Sequence, residues 1–555
     1  MKMKGLSPEI NHRVSSHRRS FGKETVVTNP IRQGIVNLTG SETVARCQKE
    51  QMCAQESQSD SLINAVSKPD EGKGQQMTLW QSDYSVVSEK SRNGDGEKGI
   101  AGKRWDSGDT IARHRAGAQL TTKLESLTQR AKENPKCKFE ALAHILTKEF
   151  LKKCFCELKR EATPGIDGVT VEEYEVNLEK NLEDVVERLK AKRYRPQPVR
   201  RAYIPKADGS KRGLGIPTIE DKIVQMGITR ILEAIFEVDF IDVSYGFRPN
   251  RSCHVALNVL DKTIMTKPVN YVVDMDIEKF FDNVNHEWMM KGLQQRIVDS
   301  SLLRLIERFL KAGVMEEGKF TETEKGTPQG GILSPVLSNI YLHYILDQWF
   351  ENKIKNQQKG FSQMIRYCDD FIVCFQKGDE ARAFGEILKE RLGKYGLKIS
   401  ENKSRIIEFG RYVWEKAQKT GKHVATFDFL GFTHYCDKTR KGKFKLGRKT
   451  AETKFRQKIV AMNQWCKSVR NLIKLQEIWG ALKVKLNGHY RYYGISGNMR
   501  AIKKFYILTS KLAYKWLNRR SQKKSFNLAE YFRFKQRNPL PEPKIYHLTY
   551  TLSSC

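Results

Sequence analysis

The chain has 555 residues, 98 Lys+Arg against 64 Asp+Glu, and a formal net charge of +34. So large a positive excess calls for a polyanion or an anionic surface as partner, and no apolar stretch approaches the roughly 20 residues of a membrane span. The opening MKMKGLSPEINHRVSSHRRS has no apolar core behind its lysines, so it does not read as a secretory signal and a cytoplasmic location is expected.

Residues 1–112 come first. The first hundred carry 14 Lys+Arg and 12 Asp+Glu among many Ser, Gly, Gln and Asn, without a sustained apolar period, and are expected to be poorly ordered. Residues 113–170 read as helical: KLESLTQRAKENP ends at Pro135, and FEALAHILTKEFLKKCFCELKR has apolar positions at helical spacing before TPGIDGVT (163–170) breaks the pattern. From 171 to 436, strand-like runs such as NYVVDMDI and FIVCF alternate with helices such as EDKIVQMGITRILEAIF, which predicts an α+β domain. Residues 437–540 read as helical and basic, followed by a tail at 541–555. Within them, 438–524 hold 25 Lys+Arg and 2 Asp+Glu and so supply +23 of the +34. Aromatics interleave with that charge in LNGHYRYYGISGN and KLAYKWLNRRSQKK, as expected where bases stack beside neutralised phosphates. The eleven cysteines show no CxxC spacing and read as reduced packing thiols.

Two acidic runs carry the chemistry. In MIRYCDDFIVCF (364–375) the apolar flanks predict a β-hairpin with Asp369 and Asp370 at its tip, either a surface turn or a divalent-metal site, because such a concentration of like charge repels itself unless cations offset it. In YVVDMDIEKFFDNVNH (271–286), strand alternation with Val273 in the core puts Asp274 and Asp276 on the other face. Asp282 or Asn285 serves there as the N-cap of a following helix. Phosphoryl transfer through two metal ions needs carboxylates from more than one strand, and Asp276 with the 369/370 pair supplies them.

With these residues in view, the chain resembles a group II intron reverse transcriptase/maturase over about 118–535. DIEKFFD and YCDD are similar to the two catalytic palm motifs, the second with Cys368 where the family has alanine. GTPQGGILSPVLSNIYLHYILD, YIPKADGSKRGLGIPTIEDKIVQ, SYGFRPNRSCHVAL, GLKISENKSRI and FDFLGF follow the family in order. The resemblance implies a right-hand polymerase, with fingers and palm built on an antiparallel sheet with helices and a helical thumb/maturase region. It implies Asp276, Asp369 and Asp370 as holders of two Mg²⁺ ions, hard cations suited to carboxylate and phosphate oxygens. It implies Lys206 and Arg212 on the triphosphate, Phe281 against a ribose 2′-hydroxyl with Phe280 in the core, and Gln329 beside the incoming nucleotide. Lys403 and the turn Leu430–Gly431 are implied to position the growing strand, and Arg491, Tyr492, Lys511, Lys515, Arg519 and Arg520 to bind RNA. The implied partners are intron RNA, an RNA template, a DNA primer or target and deoxynucleoside triphosphates. A C-terminal endonuclease with paired cysteines, carried by many relatives, is expected to be absent. The alternatives are an RNA-binding maturase with little polymerase activity, and a domesticated enzyme of defence or repair.

Overall fold

The computed structural model describes residues 122–205, 211–520 and 526–549. The polar segment 1–112, Lys206 and the last six residues of the tail lie outside the described residues.

A helix over 122–133 stops ahead of Pro135, as its sequence predicts. The next stretch departs from the expected continuous helix. Phe139 pairs with Ile297 in an isolated bridge, and the Asp299 carboxylate takes the amides of Leu142 and Ala143 at 2.6 and 2.8 Å. A 3₁₀ turn follows at Ala143–Ile145, and α-helix resumes at Lys148–Glu157, capped by Thr147. Apolar spacing was helical there, but a long-range carboxylate competes for the backbone donors. Thr170 and Glu173 then form a capping box for Val171–Val176.

Strands β1 (Val199–Pro205) and β2 (Lys211–Ile216) form an antiparallel hairpin, and the long helix Ile219–Phe236 follows. β3 is Tyr271–Met275. β4 (Val314–Glu316) and β5 (Lys319–Thr321) extend the first hairpin into a four-stranded sheet of order β2-β1-β4-β5. β6 (Ser362–Tyr367), β7 (Asp370–Phe375) and β8 (Arg405–Glu408) join β3 in an antiparallel sheet of order β6-β7-β3-β8. In β7, Phe371 to Phe375 are all fully buried, so FIVCF shows no alternation. Helix Gly378–Lys394 packs Ala381, Phe384, Leu388 and Leu392 into the same core.

The domain boundary expected at 436/437 falls inside a strand. β9 (Phe427–Phe429), β10 (Phe432–Lys438) and β11 (Phe444–Thr450) make a third antiparallel sheet. The basic helices begin after it, at Glu452–Val469, Leu475–Tyr493, Met499–Leu517 and Leu528–Arg537. No helix among the described residues is long and apolar enough to cross a membrane. Cysteines 137, 154, 156, 253, 368, 374, 436 and 466 are all unpaired.

Candidate active site

The hairpin at the first acidic run forms as its flanks predict. Tyr367 pairs with Asp370, leaving Cys368 and Asp369 as a two-residue loop. Cys368 takes φ +58°, the left-handed region that such tight hairpin turns demand and that usually selects Gly, Asn or Asp. Asp276 lies just past the end of β3, the neighbour of β7, so sheet register brings the second acidic run to the same turn.

The carboxylates feel one another. Partial desolvation by the surrounding chain, then the charges of Asp369, Asp274 and Asp276, push Asp370 up to about 7 although its side chain is exposed to solvent, while a hydrogen bond from the Leu430 amide pulls it down. Burial also raises Asp369, with Asp276 adding to the rise and Arg212 opposing it. Burial raises Asp274, and the Arg405 guanidinium, 3.4 Å away, works against it. Asp276 and Asp428 add to the rise of Asp274, so Asp274 and Asp428 belong to this acidic cluster alongside the three carboxylates picked out from sequence. Asp276 itself is turned to Lys403, whose ammonium lies 3.1 Å from Oδ2.

Among the described residues, no three His, Cys, Asp or Glu side chains close up as a ligand set. Carboxylate oxygens gathered from two chain segments and raised by one another are nonetheless the donor chemistry a hard divalent cation takes. The residues present therefore fit Mg²⁺ in kind.

The surrounding positions converge as well. Arg212, on β2, is close enough for its charge to act on Asp369. The Gln329 carbonyl accepts the Gly215 amide at 2.6 Å, seating the TPQGG loop on β2. Gly330 there has φ +112°, and a Cβ on it would meet the Gly215 oxygen at 2.8 Å, so only glycine allows this approach. Phe280 is buried, and Phe281 beside it is half-buried, its carbonyl accepting the Thr327 amide at 2.7 Å. Asn285 caps helix His286–Leu293; Asp282 instead lies within the short helix Phe280–Asn283. Leu430 and Gly431, at φ +49° and +78°, form the β9–β10 turn.

A family model described as reverse transcriptase (RNA-dependent DNA polymerase) matches residues 204–434. Protein YkfC of Escherichia coli is 34% identical, over 44% of this chain and 72% of its own length. The group II intron-encoded protein LtrA of Lactococcus lactis is also 34% identical, over 46% of this chain and 43% of its own length. A nuclear intron maturase of Arabidopsis thaliana, maturase 4, is 28% identical over 28% of this chain and 19% of its length. The chain belongs to the reverse transcriptases of the group II intron-encoded kind. It spans most of YkfC and less than half of LtrA.

In this reverse transcriptase the basic residues named from sequence divide. Arg491 and Arg519 are exposed, and the Arg519 guanidinium carbon lies 5.3 Å from the Trp516 ring centre. Lys511 and Lys515 are half-buried, and burial lowers Lys515. Arg520 donates to the Ile473 carbonyl at 3.3 Å. Tyr492, half-exposed, is also engaged within the chain. Its hydroxyl donates to the Leu430 carbonyl at 3.0 Å, its ring stacks on Phe432, and its own carbonyl accepts from His254 Nε2 at 2.8 Å. The positive-φ turn at Leu430 presents that carbonyl to the helix end, so Tyr492 ties the basic helices to the acidic site. Sequence reading also passed over Arg366 and Asp347, each a charge inside an apolar run, which is the signal that marks them.

Proposed function

We propose that this reverse transcriptase extends a DNA primer on an RNA template from deoxynucleoside triphosphates and binds group II intron RNA through its basic helices, assisting splicing and mobility. The observation that supports this reading best is the meeting of Asp276, Asp369 and Asp370 at one end of the palm sheet, within reach of Arg212 from the other sheet. Asp276, Asp369 and Asp370 would hold magnesium. When bound, two such ions supply activation of the primer 3′-hydroxyl and neutralisation of the leaving pyrophosphate.

The chain's own residues do the rest. Arg212 offers a planar guanidinium to triphosphate oxygens. Gln329 and the glycines after it bring backbone close to the nucleotide, and Phe281 sets a wall where a 2′-hydroxyl would lie. The Leu430–Gly431 turn, clamped between the Asp370 carboxylate and Tyr492, fixes the height at which a primer end meets the carboxylates. Lys403 balances Asp276. LtrA and the Arabidopsis protein are named for introns, and the surplus of exposed Lys and Arg on the basic helices suits a large folded RNA.

The deciding experiment is primer extension on a generic RNA template with Mg²⁺, run beside the Asp369→Asn variant. Synthesis by the native chain and its loss in the variant are expected. Equal extension by both, with no contaminating polymerase, overturns the assignment.

A further inference from the structure

Strand β6 carries a residue that its surroundings do not invite. Arg366 is wholly buried between Ile365 and the catalytic turn. A guanidinium pays heavily for leaving water unless its donors are met. Here its Nε donates to Asp347 Oδ1 at 2.6 Å and Nη2 to Oδ2, a two-pronged pair with a carboxylate that is itself wholly buried. The remaining Nη1 donates to Asn339 Oδ1 at 3.1 Å and to the Cys368 carbonyl at 2.9 Å. Asn339 Nδ2 passes the connection to the Gly246 carbonyl at 2.7 Å. Gly246 closes on the turn from the far side, where a Cβ would lie 2.5 Å from the Cys368 nitrogen.

The helix that brings Asn339 and Asp347 to Arg366 is irregular. Residues eight apart on an ideal α-helix differ by about 80° in direction. Between them, His343–Asp347 winds as a π-turn, whose wider ring takes back most of that offset and aims both side chains at β6.

Strand pairing does not need this apparatus, because Met364↔Val373 and Ile365↔Ile372 already set the register. What apolar packing cannot supply is a donor to the carbonyl of Cys368, a non-glycine residue held at φ +58° immediately before Asp369. We propose that Arg366, Asp347 and Asn339 are positioning residues that hold the Cys368–Asp369 turn, and with it the Asp369 and Asp370 carboxylates, at the spacing primer extension requires. This rests on the reading of that turn as catalytic.

The test replaces the pair by apolar residues of similar size, Arg366→Met with Asp347→Leu, a change that commonly leaves a folded protein as stable as before. Expected are an unchanged melting temperature, KM for the nucleotide and RNA affinity, a kcat lower by about 100-fold, and faster amide exchange at residues 367–371. A folded double variant with native kcat, or with native exchange at the turn, overturns the proposal. Should the double variant not fold, Asn339→Ala keeps the Arg366–Asp347 ion pair and cuts the bonds that Asn339 makes to Arg366 Nη1 and to the Gly246 carbonyl. A loss of about tenfold in kcat at constant KM is expected there, and full activity overturns the proposal. If the native chain extends no primer at all, the functional reading fails on its own, and the exchange comparison still decides whether these residues hold the turn.

Discussion

The palm and the basic helices carry opposite charge by opposite means. At the palm, partial desolvation and the charges of neighbouring carboxylates, Asp276 acting on all three, raise Asp274, Asp369 and the solvent-exposed Asp370, and Arg405, Arg212 and the Leu430 amide each answer one of them. From 438 to 524 the lysines and arginines outnumber acids 25 to 2, and among the described residues they spread over the β10–β11 hairpin and the helices after it. Charges forced together out of water change protonation and demand specific partners, whereas charges on solvated faces are screened and act on a polyanion roughly in proportion to their number. The palm should therefore fail at one residue, and the basic region should fail by increments.

The sharpest way to break that contrast is Asp276→Asn. Loss of primer extension by about 10³-fold is expected, with RNA affinity unchanged in a filter-binding titration. A comparable loss of RNA affinity would show the two regions to be one site. Next in size is Phe281→Ala, expected to raise ribonucleotide over deoxyribonucleotide incorporation by about 10–100-fold. An unchanged ratio in a competition assay makes Phe281 a packing residue, as its contact with Phe280 would allow. Smaller again is Arg491→Ala with Arg519→Ala. Both side chains are exposed, so the slope of log affinity against log salt should fall by about 1.4, or 0.7 for each lost contact with single-stranded RNA. Adding Lys515→Ala and Arg520→Ala should change it little, because one is half-buried and the other donates to a carbonyl. A drop of a full four contacts would show those two reach RNA after all.

Part of the site was legible because its chemistry is local. An Asp pair between two apolar runs suits a tight hairpin, and period-two alternation puts Asp274 and Asp276 on one face, whereas the meeting of the two runs depends on the long-range pairing of β3 with β7. The Leu430–Gly431 turn was legible as a motif, but its contact with Asp370 was not, since it depends on how the third sheet meets the second. The tie made by Tyr492 was hidden for a related reason: a tyrosine among arginines has the composition of a stacking platform, and nothing local shows that a carbonyl 62 residues away takes its hydroxyl. The same limit hid the Asp299 carboxylate that halts the helix expected from Phe139 onward. Sequence spacing reports what a residue prefers locally, and long-range polar partners overrule it without leaving a periodic trace.

The contrast also predicts an effect of pH on stability inside the basic region. His489, on helix Leu475–Tyr493, is 7% exposed and stacks on Phe505 with ring centres 3.6 Å apart. Its Nε2 is buried without a hydrogen-bond partner. Burial, then the Lys458 charge from helix Glu452–Val469, push it down to about 3. Tyr490 and Tyr493 on its own helix complete the surroundings and stay neutral through this range. The folded chain thus holds this ring neutral where the unfolded chain, with a value near 6.5, binds a proton. Its contribution is complete above about pH 6.5 and is lost as pH falls toward 3, at most about 3 kcal/mol between pH 6.5 and 4.5. In His489→Phe a ring of similar shape keeps the stack and cannot take the proton. Thermal melts at pH 6.5, 5.5 and 4.5 should show the native chain losing stability faster than the variant, the gap widening toward acid. His254 and His343, pushed down to about 4 and about 3 by burial, titrate alike in both proteins and cancel in the difference. Parallel curves would mean that His489 stays solvated enough to protonate in place, and that the basic helices pack less tightly around it than their contacts indicate.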